Sequence, residues 1–453
     1  MSGSGTRAKE SPSFSNSSKP IEPGAAAVQL PRTLGWLGAT FRALRHRNYR
    51  LYFFGQLISL VGSWMQTAAL MWLAFELTHQ SRWPAAIAAA GLLPAFFLGP
   101  WGGMVADRWP KRAVILATQS AFMVQALLLA WLVLAGAANV WWLFALSLAS
   151  GLIQAIDLPA RLAFVTEMVG REDLMNAVAL NSLLFNVARA IGPAIAGALL
   201  VRLGAGHCFL VNGLSFIAVL WALARMSPEP HPSALPTEAA PRGSSSWWNG
   251  FSYLAGKPHL AFLVLLAGIV GLCGWPYLAL LPALAKNVLG GDSGEYSDML
   301  TGTGIGALSA ALVIARSGSA TQWRRFIATG VAIVAAGLVG LSIVQSRWPA
   351  VGCCAAIGFG LIMFMATGQS VVQLGARSHN RGRVMAIWAM VLSGAAPAGN
   401  FLAGQAADHF GEPIVLRTLG LACGAAAVVL WLLLQLWLRF HSPYRSLETA
   451  ESE

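Results

Sequence analysis

The chain has 453 residues, 56% of them hydrophobic and only 11% charged, with a formal net charge of +12 and a mean hydropathy of +0.62. A soluble domain of that composition would lack the polar surface that water requires, so this is a polytopic membrane protein. The basic excess is scattered over loops between apolar runs, which argues against a nucleic-acid partner despite a pI near 10.1.

In chain order, residues 1–48 form a tail. It is Ser/Gly/Pro/Ala-rich and expected to be disordered up to about Leu34, and basic at Arg42, Arg45 and Arg47, with Arg50 just beyond, where it anchors the first helix. Twelve apolar runs follow, each long enough to span a bilayer: 51–77, 84–106, 112–135, 140–165, 177–201, 207–226, 259–289, 298–316, 325–345, 348–373, 384–408 and 414–439. The expected fold is an all-α membrane protein with twelve transmembrane helices in two six-helix bundles, 49–226 and 259–440. Between the bundles lies a linker, 227–258. Its first part is rich in Pro and Ser, and its second part is a candidate surface helix around Trp247 to Leu254. Residues 441–453 form a C-terminal tail. Two six-helix halves joined by a linker are what a rocking transporter needs.

Lys and Arg set the orientation. With the N-terminus inside, the inner segments hold Arg108, Lys111, Arg112, Arg161, Arg171, Arg225, Lys257, Arg324, Arg325, Arg381 and Arg383 among others, whereas the outer loops hold only Arg82, Arg202, Lys286, Arg347 and Arg417. Both termini are therefore expected to be cytoplasmic.

Polar residues inside the apolar runs mark the places where function is expected. Ser147, Ser150, Gln154, Asp157 and Arg161 fall within an arc of about 80° on helix 4. Asp157 is either a protonation site or one half of a static ion pair with Arg161, its i+4 neighbour. Arg189, which shares a face of helix 5 with Ser182 and Asn186, needs a carboxylate, and Asp157 lies at a plausible depth; Glu76, near the outer end of helix 1, is the rival proton carrier. Gln56, Ser59, Ser63 and Gln66 line one face of helix 1, and Thr367, Ser370 and Gln373 mark helix 10. Trp275 and Tyr277 flank Pro276 in helix 7. With Gln154 and Asn186 these make the candidate cavity for a large amphipathic substrate; the alternative for each is ordinary packing between helices.

Between helices 2 and 3 the segment Gly103-Met-Val-Ala-Asp107-Arg108-Trp-Pro-Lys111-Arg112 concentrates charge in a short hairpin. If helices 2 and 11 meet at that face, the N-terminal dipole of helix 11 attracts Asp107 and latches one conformation. The motif Gly404-x-x-x-Asp408 echoes it at the opposite face. No phosphate-cradling loop, His-Glu-x-x-His or Gly-x-Ser-x-Gly motif occurs, and the five cysteines have no metal spacing, so neither an enzyme nor a cofactor or metal is expected.

The hairpin resembles the loop Gly-x-x-x-Asp-Arg-x-Gly-Arg-Arg of the major facilitator superfamily, with Pro110 in place of the second Gly. Further stretches are Arg47-Asn-Tyr-Arg50, Gly55-Gln-Leu-Ile-Ser59, Asp157-Leu-Pro-Ala-Arg161, Asn186-Val-Ala-Arg189-Ala-Ile-Gly-Pro193 and Arg381-Gly-Arg383-Val-Met-Ala. In this order they resemble the superfamily's transmembrane secretion effector group, which includes the enterobactin exporter and macrolide-efflux permeases. The resemblance implies export of a small amphipathic compound (drug, macrolide or siderophore), coupled to proton entry, across a bacterial inner membrane; the chain is expected to act as a monomer. An importer or lipid-moving permease of the same fold, or a sensor without flux, remains the alternative.

Overall fold

The computed structural model describes residues 41–226, 247–317, 322–376 and 378–440. The expected N-terminal tail up to residue 40, the Pro/Ser-rich part of the linker and the C-terminal tail lie outside these residues. Among the described residues, twelve helices are long and apolar enough to cross a membrane. They are α1 (Arg47–Thr78), α2 (Arg82–Arg108), α3 (Lys111–Leu134), α4 (Val140–Gly170), α5 (Glu172–Leu203), α6 (Ala205–Arg225), α7 (Pro258–Val288), α8 (Ser293–Ser317), α9 (Trp323–Leu341), α10 (Arg347–Gly375), α11 (Ser378–Phe410) and α12 (Glu412–Phe440). A further short helix, Trp247–Ala255, precedes α7. Strands are absent among the described residues.

Two local features shape the helices. A single residue separates α4 from α5, and the turn between them rests on Gly170, whose φ of 70° is open to glycine and costly for other residues. In α7 the helix breaks at Trp275–Pro276, because Pro276 brings no N–H to the ladder, and it ends in a π-type turn over Leu284–Val288.

α1 packs on α5 and α6, α3 on α6, and α2 on α4; in the second half α10 packs on α8 and α9, while α7 packs on α11 and α12. The halves meet through α2 against α11 and α5 against α8. We call the end of the bundle where α1 begins the terminal face, and the opposite end the distal face. The buried apolar residues divide along this axis. One cluster joins the distal part of the first half (Met65, Trp72, Leu143, Phe209) to the core of the second half (Tyr277, Met299, Phe364, Trp388). A separate cluster (Tyr49, Ile115, Phe164, Leu180) holds the first half together at the terminal face. The halves are thus fused distally and part towards the terminal face.

The expected basic anchor before α1 turns out to be a clamp. A 3-10 turn, Arg42–Arg45, leads into α1. Asp173, buried at the start of α5, accepts bonds from Arg42 and from Arg45 Nη2 (3.0 Å), and contacts His46 Nε2 at 2.7 Å. The Tyr49 hydroxyl donates to the Ala177 carbonyl at 2.9 Å, and the Ala43 N–H to Asn176 Oδ1 at 2.8 Å. Asp173→Asn removes a charge on which three side chains converge. The variant should lose roughly 1–3 kcal/mol of stability, read as a lower thermal midpoint of the purified protein in detergent; an unchanged midpoint would contradict the clamp.

Candidate functional site

A cavity of about 520 Å³ lies between the halves. Its walls come from α1 (Trp64, Gln66, Met71), α3 (Gln125), α4 (Ser147, Ser150), α5 (Phe185, Arg189), α7 (Trp275, Tyr277), α8 (Tyr296, Thr303), α10 (Met365) and α11 (Asn400), among others. Most of its polar groups are fixed by one another. Gln66 Nε2 donates to Gln125 Oε1 (3.1 Å) and Gln66 Oε1 accepts from Asn212 Nδ2 (2.8 Å). The Ser147 hydroxyl donates to the Ile87 carbonyl (2.8 Å), and the Tyr277 hydroxyl to Thr303 Oγ1 (3.2 Å). Trp64 and Phe185 meet edge to face at 5.4 Å. A second, apolar groove beside Phe54, Ile58 and Trp221 lies between α1 and α6 and suits lipid.

Two lining residues are exceptions to this internal satisfaction: Asn400, whose Oδ1 has no hydrogen-bond partner, and Arg189. Arg189 is 6% exposed, and its Nε and Nη2 have no hydrogen-bond partner. On insertion scales an arginine at mid-membrane costs about 2.5–3.5 kcal/mol, so such a group is retained where a pairing partner or a water-filled cavity offsets the cost.

The expected Asp157–Arg189 pair does not form. Asp157 is fully buried on the side of α4 that meets α3. Its Oδ1 accepts from Thr118 Oγ1 (2.6 Å) and Gln119 Nε2 (3.0 Å). Its Oδ2 lies 2.6 Å from Arg161 Nε, with the N–H too poorly aligned to count as a hydrogen bond. One helical turn brings Arg161 to the same face, whereas Arg189 faces the cavity. Asp157 therefore belongs to an internal network of the first half.

The distal face is shut by contacts between halves. Asp408 Oδ1 accepts from the backbone N–H groups of Ser81 (2.6 Å) and Arg82 (3.3 Å), at the free N-terminus of α2. Arg82 Nε lies 3.6 Å from the other Asp408 oxygen. Glu412 accepts from the Ser81 hydroxyl (2.8 Å) and from Asn287 (3.2 Å), and Lys286 lies 3.7 Å from Glu76. Behind these, Trp72 stacks on Tyr296 at 5.6 Å, and the Ser297 hydroxyl donates to the Pro193 carbonyl. Gly404 lets α11 approach Ser81, Arg82 and Ala85 too closely for any Cβ.

At the terminal face the corresponding motif is open. Nothing lies within 4 Å of the position a Gly103 Cβ would occupy. Asp107 and Arg108 are exposed, and Asp107 bonds to nothing among the described residues. The expected latch of Asp107 on α11 is thus absent from this conformation, because the halves have parted here. Lys111 and Arg112 stay within the first half, at 3.7 Å from Glu167 and 3.1 Å from the Ala224 carbonyl.

A helical bundle with this cavity can be compared with known proteins. The profile of the transmembrane secretion effector family matches residues 38–449. The chain belongs to that family. It is a transporter of the major facilitator superfamily, not an enzyme. It is similar to the staphyloferrin A transporter of Staphylococcus aureus, with 25% identity over 383 residues that cover 82% of this chain and 91% of that protein. It is also similar to the enterobactin exporter EntS of Shigella boydii, with 28% identity over 271 residues, covering 58% of this chain and 63% of that one. Among solved structures, a bacterial homologue of the human lysosomal transporter Spinster, in an inward-facing and unoccupied conformation, superimposes with a TM-score of 0.70 over 87% of this chain and 98% of that chain, at 12% identity.

In this transporter the residues singled out from sequence are spread over several places. Gln66, Arg189, Trp275 and Tyr277 line the cavity. Gln56 and Ser59 are buried outside its lining, and the Ser63 hydroxyl turns back to the Ser59 carbonyl. Gln154 is half-buried away from the cavity, and Asn186 donates to the Ser182 carbonyl one turn earlier. Thr367 is buried, Ser370 bonds back to the Ala366 carbonyl, and Gln373 is exposed near the end of α10. Sequence reasoning did not single out Gln125, Asn212, Asn400, Tyr296 or Glu412. Gln125, Asn212 and Asn400 carried a usable signal, being amides within apolar runs; Tyr296 and Glu412 carried none.

The distal closure makes a direct prediction. Spin labels at Ala137 and Gln345, exposed in the α3–α4 and α9–α10 loops, should sit at one short separation in the wild type. In Asp408→Asn the distribution should gain a longer component as the α2 N-terminus loses its carboxylate. Identical distributions would show that Asp408 does not hold the face shut.

Proposed function

We propose that this transporter is an inner-membrane exporter of a small amphipathic compound of the siderophore type, exchanged for protons by alternating access. The terminal face is cytoplasmic, in keeping with the concentration of Lys and Arg there. The observation that carries this reading is the cavity between two halves that are locked at the distal face and parted at the terminal face. A cavity accessible from the cytoplasm is where an exporter loads its cargo. Release outside requires the opposite arrangement, in which Asp408 leaves α2 and Asp107 reaches α11. The names of the two relatives support a siderophore as cargo. In this reading the proton acts at Asp157: neutralising the carboxylate frees Arg161, loosens α4 from α3 and biases the exchange between states.

The test is flux into inverted membrane vesicles with an imposed acid-inside pH gradient, using catechol and carboxylate siderophores. Accumulation should collapse on adding a protonophore. Asp157→Asn should abolish gradient-driven accumulation while leaving cargo exchange between equal pools intact. Accumulation that resists the protonophore would rule out proton coupling, and gradient-driven accumulation in the variant would move the coupling away from Asp157. Uptake only in right-side-out vesicles would reverse the direction.

A further inference from the structure

Arg189 is the sole charged side chain among the described residues that line the cavity, and no Asp or Glu lines the same space. It is more than nine-tenths buried, with two nitrogens unpartnered, while Gln66, Gln125, Ser147 and Thr303 are already engaged in hydrogen bonds. Tyr277, across the cavity on α7, spends its hydroxyl on Thr303. A guanidinium presents a planar fork of donors that matches the two oxygens of a carboxylate, and once bound cargo displaces water from the cavity such a pair is stronger than at a surface. The remaining lining is aromatic and aliphatic, with Trp64, Phe185, Trp275 and Met365 offering area to an apolar body. Asn400 adds an unpartnered Oδ1 suited to a hydroxyl or amide N–H.

We propose that Arg189 binds an anionic oxygen group of the cargo, a carboxylate before all others, so that the transported class is amphipathic organic acids and not cationic amphiphiles. This rests on reading the cavity as the cargo site of a transporter. Transport by itself requires no acid group on the cargo; that requirement comes from an uncompensated cation in a cavity without a carboxylate. The same fork would also accept an inorganic anion, and the experiment separates the two.

The probes are a dansyl amide of citric acid with two free carboxylates, its dimethyl ester, and dansylcadaverine as a cation of similar size. Binding to the full-length protein in lipid nanodiscs is read by fluorescence polarisation. The wild type should bind the acid at least about tenfold more tightly than the ester, a difference of about 1.4 kcal/mol, and should bind the cation least. Arg189→Gln should lose that preference by weakening the acid alone. Its unchanged ester affinity reports a folded cavity, and Arg189→Lys should keep part of the preference. Equal affinities in the wild type, or an undiminished preference in Arg189→Gln, would overturn the proposal. So would displacement of the acid by sodium phosphate, at matched ionic strength, as effective as displacement by unlabelled citrate amide, which would assign the site to an inorganic ion. Flux of the same probes in proteoliposomes keeps the two readings apart. Flux without acid preference removes the anion site and leaves the transporter; acid-selective binding without flux does the reverse.

Discussion

The conformation depends on one carboxylate at one helix end. The first turn of α2 carries backbone N–H groups that no helical carbonyl can reach, and Asp408 of α11 accepts from two of them. Gly404, one turn earlier on α11, supplies the close approach that makes the reach possible. Because α2 and α11 belong to opposite halves, this contact helps tie the halves together at the distal face. The stacked pair Trp72–Tyr296 and the Glu412 contacts then close the space behind it. The apolar cores follow the same logic, continuous between halves distally and separate at the terminal face.

The reciprocal motif on α2 gives this contact its meaning. Gly103 and Asp107 stand at the terminal end of α2 in the arrangement that Gly404 and Asp408 hold at the distal end of α11. One pair is engaged and the other is free. The engaged end identifies the closed face.

Buried charge is handled in two ways. Asp157 is compensated within its own half by Thr118, Gln119 and Arg161, and its network stays apart from the cavity. Arg189 is left uncompensated in the cavity wall, where a passing ligand can reach it. A compensated charge stabilises one packing arrangement, whereas an uncompensated one stays available to a partner; the two arginines differ in environment, not in type.

Much of this protein is written in the chain itself. Twelve apolar runs, the basic loops and the Pro/Ser-rich linker point to a membrane protein of two six-helix halves, because runs of that length cross hydrocarbon as helices, whose backbone groups are satisfied internally. The polar residues embedded in those runs point to α1, α4, α5, α7 and α10 as the helices with something other than lipid to face. Partners across helices were not legible, because helical periodicity gives each residue a face but not a depth or a neighbour. Asp157 and Arg189 looked like a pair on depth alone, yet α4 turns Asp157 towards α3 and α5 turns Arg189 into the cavity. The repeat of Gly-x-x-x-Asp was visible as a pattern, but which copy is engaged depends on how the halves are tilted. The sequence by itself determined the helices, their number and the faces that carry charge. Only the tertiary structure decided which charges are paired and which end is closed, because those depend on contacts between segments more than three hundred residues apart, such as Ser81 with Asp408.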